Sequence, residues 1–456
     1  MRFLTFLSLL VSLAFVQPLS SFAQDLGVDP KKQADAQHFF NRGKGHAERG
    51  AWVDAYRDYS RASLILPNNW HINVATSEAA FRAGRPDIQL RHAQHLLLLA
   101  QKNNNNGQIA VALSHVGIAE TSLGNTDIGI DAFKESASLH EKESGTESAE
   151  FAKALVNLGK ALQNAGLVED AEQSFAKAVE ISEKVLSPND PELDKRIGDL
   201  GRFYLLRGEH AKAAPLIERY VAFGEVTLPH DSAPYAQRLL ILAELYDNSQ
   251  QSEKAIAAYK RSIEVSERVL GEDHQVVQKQ LVRIGAIYSQ LQRFSEGVPY
   301  VEQLYRLNER VLGAEHQNTL SSMNNLGLFL SYAGDHARAL PFSELSLEKS
   351  KEFLGEDSLE YATRMVNLGQ VYDGLSRQKE SIPLYERAIE ITEAKLGREN
   401  VSVARIANNL GFAYEQVGRS KEARSQYEFA LRVFKDQLPK GHFLIGIVER
   451  NLAAVN

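Results

Sequence analysis

Asparagine recurs at one phase of this 456-residue chain. From residue 117 a glycine or alanine returns every 42 residues, as Gly117, Gly159, Gly201, Ala243, Gly285, Gly327, Gly369, Gly411 and Ala453. Two residues before this anchor stand Asn157, Asn325, Asn367, Asn409 and Asn451, with His115, Asp199 and Arg283 in other units. Three residues before it come Asn324 and Asn408. One residue after it come Lys160, Arg202, Gln370 and Phe412, and six before it Lys153, Lys195, Lys279 and Arg405. On a helix these positions share one side. A carboxamide both donates and accepts hydrogen bonds. A ladder of them can pair with the backbone of an extended peptide whatever its sequence. Cations alongside add a preference for an acidic peptide or a C-terminal carboxylate. The peptide-binding candidates are Asn157, Lys160, Asn324, Asn325, Asn367, Gln370, Arg405, Asn408, Asn409 and Phe412. The competing role for the same amides is structural, in bonds to neighbouring helices or to water.

Catalytic and metal chemistry find no support. Gly43-Lys44-Gly45 lacks the strand, the spacing and the Lys-Ser/Thr pair of a phosphate loop. His92 and His95 lie three apart, but no Asp or Glu joins them at metal-ligand spacing. His274 and His316 are 42 apart and so occupy one repeated position, read as a helix cap. No nucleophile elbow and no HExxH is present. We therefore expect no enzyme, no cofactor and no metal. A formal charge of −7 offers no basic face for nucleic acid.

The elements that carry these residues follow from the same period. Counting from Gly411, Tyr414 is at +3, Gly418 at +7, Ala423 at +12, Tyr427 at +16 and Ala430 at +19. Small and large residues alternating across a break mark two antiparallel helices, A and B, with small residues where backbones approach. The +16 position holds Phe133, Phe175, Ile217, Tyr259, Val301, Ser343, Tyr385 and Tyr427, mostly large core groups. The +28 position holds only glycine, serine or proline, which stop helices. No period-two run argues for a strand. Two further units precede this series, anchored at Gly43 and Ser77, the second degenerate. Pro215, Pro299, Pro341 and Pro383 all fall at +14, inside helix B, and predict a bend near its start. The stretch from Phe443 repeats helix A with no helix B after it, as a cap on the last apolar face.

With its Leu-Gly anchors, an aromatic three residues on, and small, aromatic and small residues in the second helix, the pattern resembles the tetratricopeptide repeat (TPR). The linkers ERVLGEDH (267–274) and ERVLGAEH (309–316) are similar to the kinesin-light-chain type found in bacteria. The resemblance implies an all-α, right-handed α-solenoid of about ten TPR units with a C-terminal capping helix. It also implies a concave groove lined by helices A that holds a peptide or a partner's helix. The expected function is a protein-binding scaffold or adaptor. The alternatives are a self-assembling oligomer or a binder of a small cell-wall fragment.

The first residues are read differently. A basic start, an apolar run over 3–16 and small residues at 21 and 23 make a signal peptide cleaved after Ala23. The expected layout is a signal peptide over 1–23, a flexible lead over 24–35 and two units over 36–102. Eight 42-residue units over 103–440 and a cap over 441–456 complete it. The apolar run is too short for a membrane span. The chain has no cysteine, so disulfides and thiolate metal sites are excluded. An exported protein, periplasmic or secreted, is expected.

Overall fold

The structure, a computed structural model, describes residues 29–455. The expected signal peptide lies outside the described residues. The chain divides into two compact units, one ending at Phe223 and one starting at Gly224.

Both units are built from helix pairs. In the first, α1 (Pro30–Glu48) pairs with α2 (Trp52–Ile65), and α3 (Trp70–Arg82) with α4 (Pro86–Lys102). Then come α5 (Asn106–Leu123) with α6 (Thr126–Ser144), α7 (Ala149–Asn164) with α8 (Val168–Val185), and α9 (Pro191–Leu206) with α10 (His210–Thr227), whose last residues from Gly224 are counted with the second unit. The second unit holds α11 (Ala233–Asn248) with α12 (Ser252–Leu270), α13 (Gln275–Gln290) with α14 (Phe294–Leu312), and α15 (Gln317–Tyr332) with α16 (His336–Leu354). It ends with α17 (Leu359–Gly374) and α18 (Gln378–Leu396), α19 (Val401–Gln416) and α20 (Ser420–Gln437), and the lone α21 (Phe443–Ala454). Within each unit consecutive helices pack on one another, and no strand occurs among the described residues. No helix among them is long and apolar enough to cross a membrane. α1 starts earlier than a flexible lead over 24–35 allows. The Asp29 carboxylate accepts the Lys31 amide at 3.0 Å and Pro30 fills the first turn, where its missing N–H has no role.

The anchor residues show why the 42-residue pattern exists. A Cβ added at Gly43, Gly369 or Gly411 would stand 2.7 Å from the ring of Tyr59, Tyr385 or Tyr427, and at Gly117 2.9 Å from Phe133. The ring at +16 thus lies flat on the bare backbone of helix A. The turn at +7 has the left-handed conformation, whatever residue occupies it. Gly418 has φ of 78°, but Gln250, Gln292 and Ser376 hold φ of 57°, 54° and 58° at the same position. The +14 prolines are each the sixth residue of a helix that continues past them.

Helix A starts are fixed by the residue at +31. Ser148, Asp190, Ser232, His274, His316, Ser358, Asn400 and His442 each accept a backbone amide of the first turn through the side chain. His274 and His316 do this with Nδ1, at 3.2 and 3.1 Å. The junction between successive pairs uses buried residues at +23 and, in the next helix A, at −5. Arg196 donates to Ser182 at 2.6 Å, Gln280 to Ser266 at 3.3 Å, and Asn308 to Ser322 at 3.1 Å. Arg364 donates to Ser350, and the Arg238 stem fills the space a side chain at Gly224 would take.

Candidate functional site

One place in the repeat carries most of the chemistry. It lies where the +4 residue of helix A meets the +16 residue of helix B and the −2 residue of the next helix A. The second unit shows it in three states.

In the pair anchored at Ala243 the place is filled. Arg283 Nε donates to Asp247 Oδ2 at 2.9 Å and Nη2 to the same oxygen at 2.5 Å. The Tyr259 hydroxyl donates to that oxygen at 3.3 Å. The carboxylate raises the guanidinium's affinity for its proton, and burial with the nearby acids raises that of the Tyr259 phenol.

In the next pair the three positions are Ser289, Val301 and Asn325. Ring, carboxylate and guanidinium are all absent, and a groove of about 770 Å³ opens between α13 and α15. Leu281, Val301, Leu304 and Phe329 form its apolar base. Lys279, Val282 and Arg283 stand on the α13 rim, and Asn318, Ser321 and Asn325 on the α15 rim. Val282 is 50% exposed, an apolar group offered to whatever enters. The base is held by Asn308, which accepts from Gln278 at 2.6 Å and donates to Ser322.

Two steps on, the positions are Asp373, Tyr385 and Asn409. Here a pocket of about 260 Å³ is lined by Gln370, Asp373, Tyr385, Asn408, Asn409, Phe412 and Asn451. The Tyr385 hydroxyl donates to Asp373 Oδ2 at 2.8 Å and Ser381 Oγ to Oδ1 at 2.5 Å. Burial pushes the Asp373 carboxyl above the usual range, and these two hydrogen bonds only partly oppose it. Both side-chain hydrogen bonds that it accepts among the described residues come from neutral hydroxyls. The same burial, with Asp373 beside it, drives the Tyr385 phenol well above its ordinary value.

The ten sequence candidates divide among these places. Gln370, Asn408, Asn409 and Phe412 come together around the Asp373 pocket. Asn325 lines the larger groove. Asn324 accepts from Asn367 Nδ2 at 3.1 Å, and Asn408 accepts from Asn451 Nδ2 at 3.0 Å. These two pairs give the asparagine ladder a structural role, joining one helix A to the next. Arg405 is exposed on α19. Asn157 and Lys160 belong to the first unit, where Asn157 is buried and Lys160 pairs with Asp199 at 2.7 Å. Sequence reasoning omitted Asp373, Ser289 and Val282, and treated Tyr385 and Val301 only as core. Reading +4, +16 and −2 as one set would have found them. His95 Nε2 lies 2.8 Å from the Pro67 carbonyl, which gives that histidine a local partner.

The chain covers 45% of its length against a kinesin-light-chain TPR-like repeat structure from Podosopora anserina, 98% of which is covered, at 21% identity and TM-score 0.39. BtubC (BKLC) from P. vanneervenii is 22% identical, over 50% of this chain and 92% of that one, with TM-score 0.35. PilF of Pseudomonas aeruginosa is 13% identical, over 52% and 93%, with TM-score 0.36. No curated protein matches the chain. The tetratricopeptide repeat profile matches residues 150–225, 280–352, 324–394 and 379–436, and a second profile of the same description matches 236–275. These matches cover more than half of the sequence and coincide with the helix pairs whose glycine anchors seat the +16 side chains, and the chain therefore belongs to the tetratricopeptide repeat family.

Proposed function

We propose that this protein is a non-catalytic scaffold of the bacterial envelope that holds a segment of a partner protein on the helix A face of its second unit. Repeats of this family generally mediate contacts between proteins. The observation that carries the reading is the groove between α13 and α15. It has the size of a ligand site, an apolar base and polar rims. The same place one pair earlier is closed by the chain's own Arg283, so the opening reflects the residues chosen at Ser289, Val301 and Asn325. The apolar leader over 3–16 and its small-residue exit support export.

A photo-crosslinking residue at Ser321, on the groove rim, tests this in the native host. Val311, exposed on α14, serves as the control position. We expect adducts at Ser321 that disappear when Ala286→Trp blocks the groove. Equal adducts at Ser321 and Val311, unchanged by Ala286→Trp, would overturn the groove. Adducts to a second copy of this chain would convert the scaffold into a self-assembling one. The mass of the mature protein tests export and is expected to start at Gln24.

A further inference from the structure

The pocket around Asp373 and the ion pair at Asp247 are the same place in the repeat, 126 residues apart. Asp247 and Asp373 both sit at +4, Tyr259 and Tyr385 both at +16, and both phenols donate to the carboxylate. Of the three positions that define the place, only the −2 residue differs. At the first place it is Arg283, whose guanidinium places two N–H groups on Asp247 Oδ2. At the second it is Asn409, whose side chain is three heavy atoms shorter. The carboxylate and the tyrosine are kept while the cation is missing, and about 260 Å³ is left open in front of them.

We propose that this pocket binds the guanidinium of an arginine side chain carried by the partner segment, in the position that Arg283 takes against Asp247. The inference rests on the reading that the helix A face of the second unit holds such a segment. The chain itself supplies one template: at Asp247 and Tyr259 an acid at +4 with a tyrosine at +16 seats a guanidinium. The rest of the lining suits the same group. Asp373 offers a carboxylate whose two oxygens accept from neutral hydroxyls, where Asp247 accepts from a guanidinium. The side-chain oxygens of Gln370 and Asn409 supply further acceptors at the mouth. Phe412, 40% exposed, provides a ring face for a planar cation. A guanidinium presents five donors in a fixed fork, which such a set of acceptors can satisfy and an ammonium cannot match in shape. Burial that raises the Asp373 carboxyl in the empty pocket also favours a cation, whose charge offsets that cost.

The test uses the full chain and three fluorescent hexapeptide mixtures that hold arginine, lysine or citrulline at one fixed position and are randomised elsewhere. Citrulline keeps the shape of arginine without its charge. We expect the arginine mixture to bind at least about tenfold more tightly than the citrulline mixture, with lysine between them. Asp373→Asn is expected to remove that preference. Asn409→Arg is expected to remove it too, by filling the pocket from within, while both variants melt close to the wild type. Equal binding of arginine and citrulline mixtures, still blocked by Ala286→Trp, would overturn the arginine site and leave the groove standing. Equal binding that Ala286→Trp does not affect would overturn both. Tighter binding of lysine than arginine would overturn the guanidinium assignment, as would an arginine preference retained in Asp373→Asn.

Discussion

Two glycines at the same repeat position are expected to respond oppositely to a single methyl group. At Gly411 an added Cβ would stand 2.7 Å from Tyr427 Cε1 and 2.8 Å from Cδ1, well inside the usual contact distance of about 3.5 Å. Tyr427 is fully buried, and its hydroxyl donates to Glu415 at 2.8 Å. The ring can therefore yield only by straining its packing or breaking that bond. Overpacking of this kind costs about 1–3 kcal/mol, and the hydrogen bond is worth roughly 1 kcal/mol more. Alanine returns about 1 kcal/mol through its better helix propensity. Gly411→Ala should thus lose about 1–3 kcal/mol. At Gly285 the only neighbour within 4 Å is Val301 Cγ2 at 3.2 Å, beside the open groove where it can shift. There the propensity gain dominates, and Gly285→Ala should range from neutral to about 1 kcal/mol more stable. For a unit of this size each kcal/mol moves Tm by about 2–4 °C, so the two variants, about 1–4 kcal/mol apart, should differ by roughly 2–16 °C. Thermal melts followed by far-UV circular dichroism, with urea melts alongside, give the comparison. The pair is compared because a repeat array need not unfold in one step. A Gly411→Ala protein that melts at or above Gly285→Ala would refute the ring-on-backbone account.

The asparagine pair of α15 and α17 should behave as a coupled unit: a double-mutant cycle over Asn324→Ala and Asn367→Ala is expected to give about 0.5–1.5 kcal/mol of coupling by urea melts, and none would return those amides to ligand duty. His115 is fully buried beside Ser77 Oγ at 3.1 Å, and burial lowers its pKa to about 4. Its unfolded form takes up a proton first, so the first unit should keep full stability above about pH 6.5 and lose up to about 3 kcal/mol as pH falls towards 4. His115→Gln should flatten that slope in Tm-against-pH curves. Asp373 has the opposite sign. Its raised pKa favours the folded state below the usual carboxylate range, and that contribution is lost as pH rises through the folded value. Asp373→Asn should therefore melt at or above the wild type at neutral pH, and a clearly lower Tm would contradict an uncompensated carboxylate. His316→Ala should cost about 1 kcal/mol by melting through the lost α15 cap, while His316→Asn restores most of it.

The fold was legible because each repeat states its packing locally. A glycine at zero and a ring at +16 meet in every unit that has both, and the +28 and +31 residues stop one helix and cap the next. The site was only partly legible. The −2 and −3 asparagines stood out by type, yet both −3 asparagines are taken by a −2 asparagine of the next helix A, Asn324 by Asn367 and Asn408 by Asn451. That outcome depends on the approach of neighbouring helices, which spacing does not reveal. Asp373 was passed over because one carboxylate on a helix is unremarkable until its repeat equivalent, Asp247, is seen holding Arg283. The 770 Å³ groove arises from what is missing at Ser289 and Val301, and an absence shows in a sequence only against a filled copy of the same position.

The buried junctions between successive pairs bear on how the chain assembles. Near-identical repeats invite mispairing, since any helix B offers a similar surface to any helix A. Here neighbours are matched in size: Ser182 faces Arg196, Gly224 faces Arg238 and Ser350 faces Arg364, but Asn308 faces the small Ser322. A register slip of one repeat would press a guanidinium against Asn308 or leave Ser350 without its partner. The junctions therefore fall into classes of size match, and shuffling or duplicating units of this protein should yield stable arrays only when a small +23 residue meets an arginine and Asn308 meets a small residue such as Ser322.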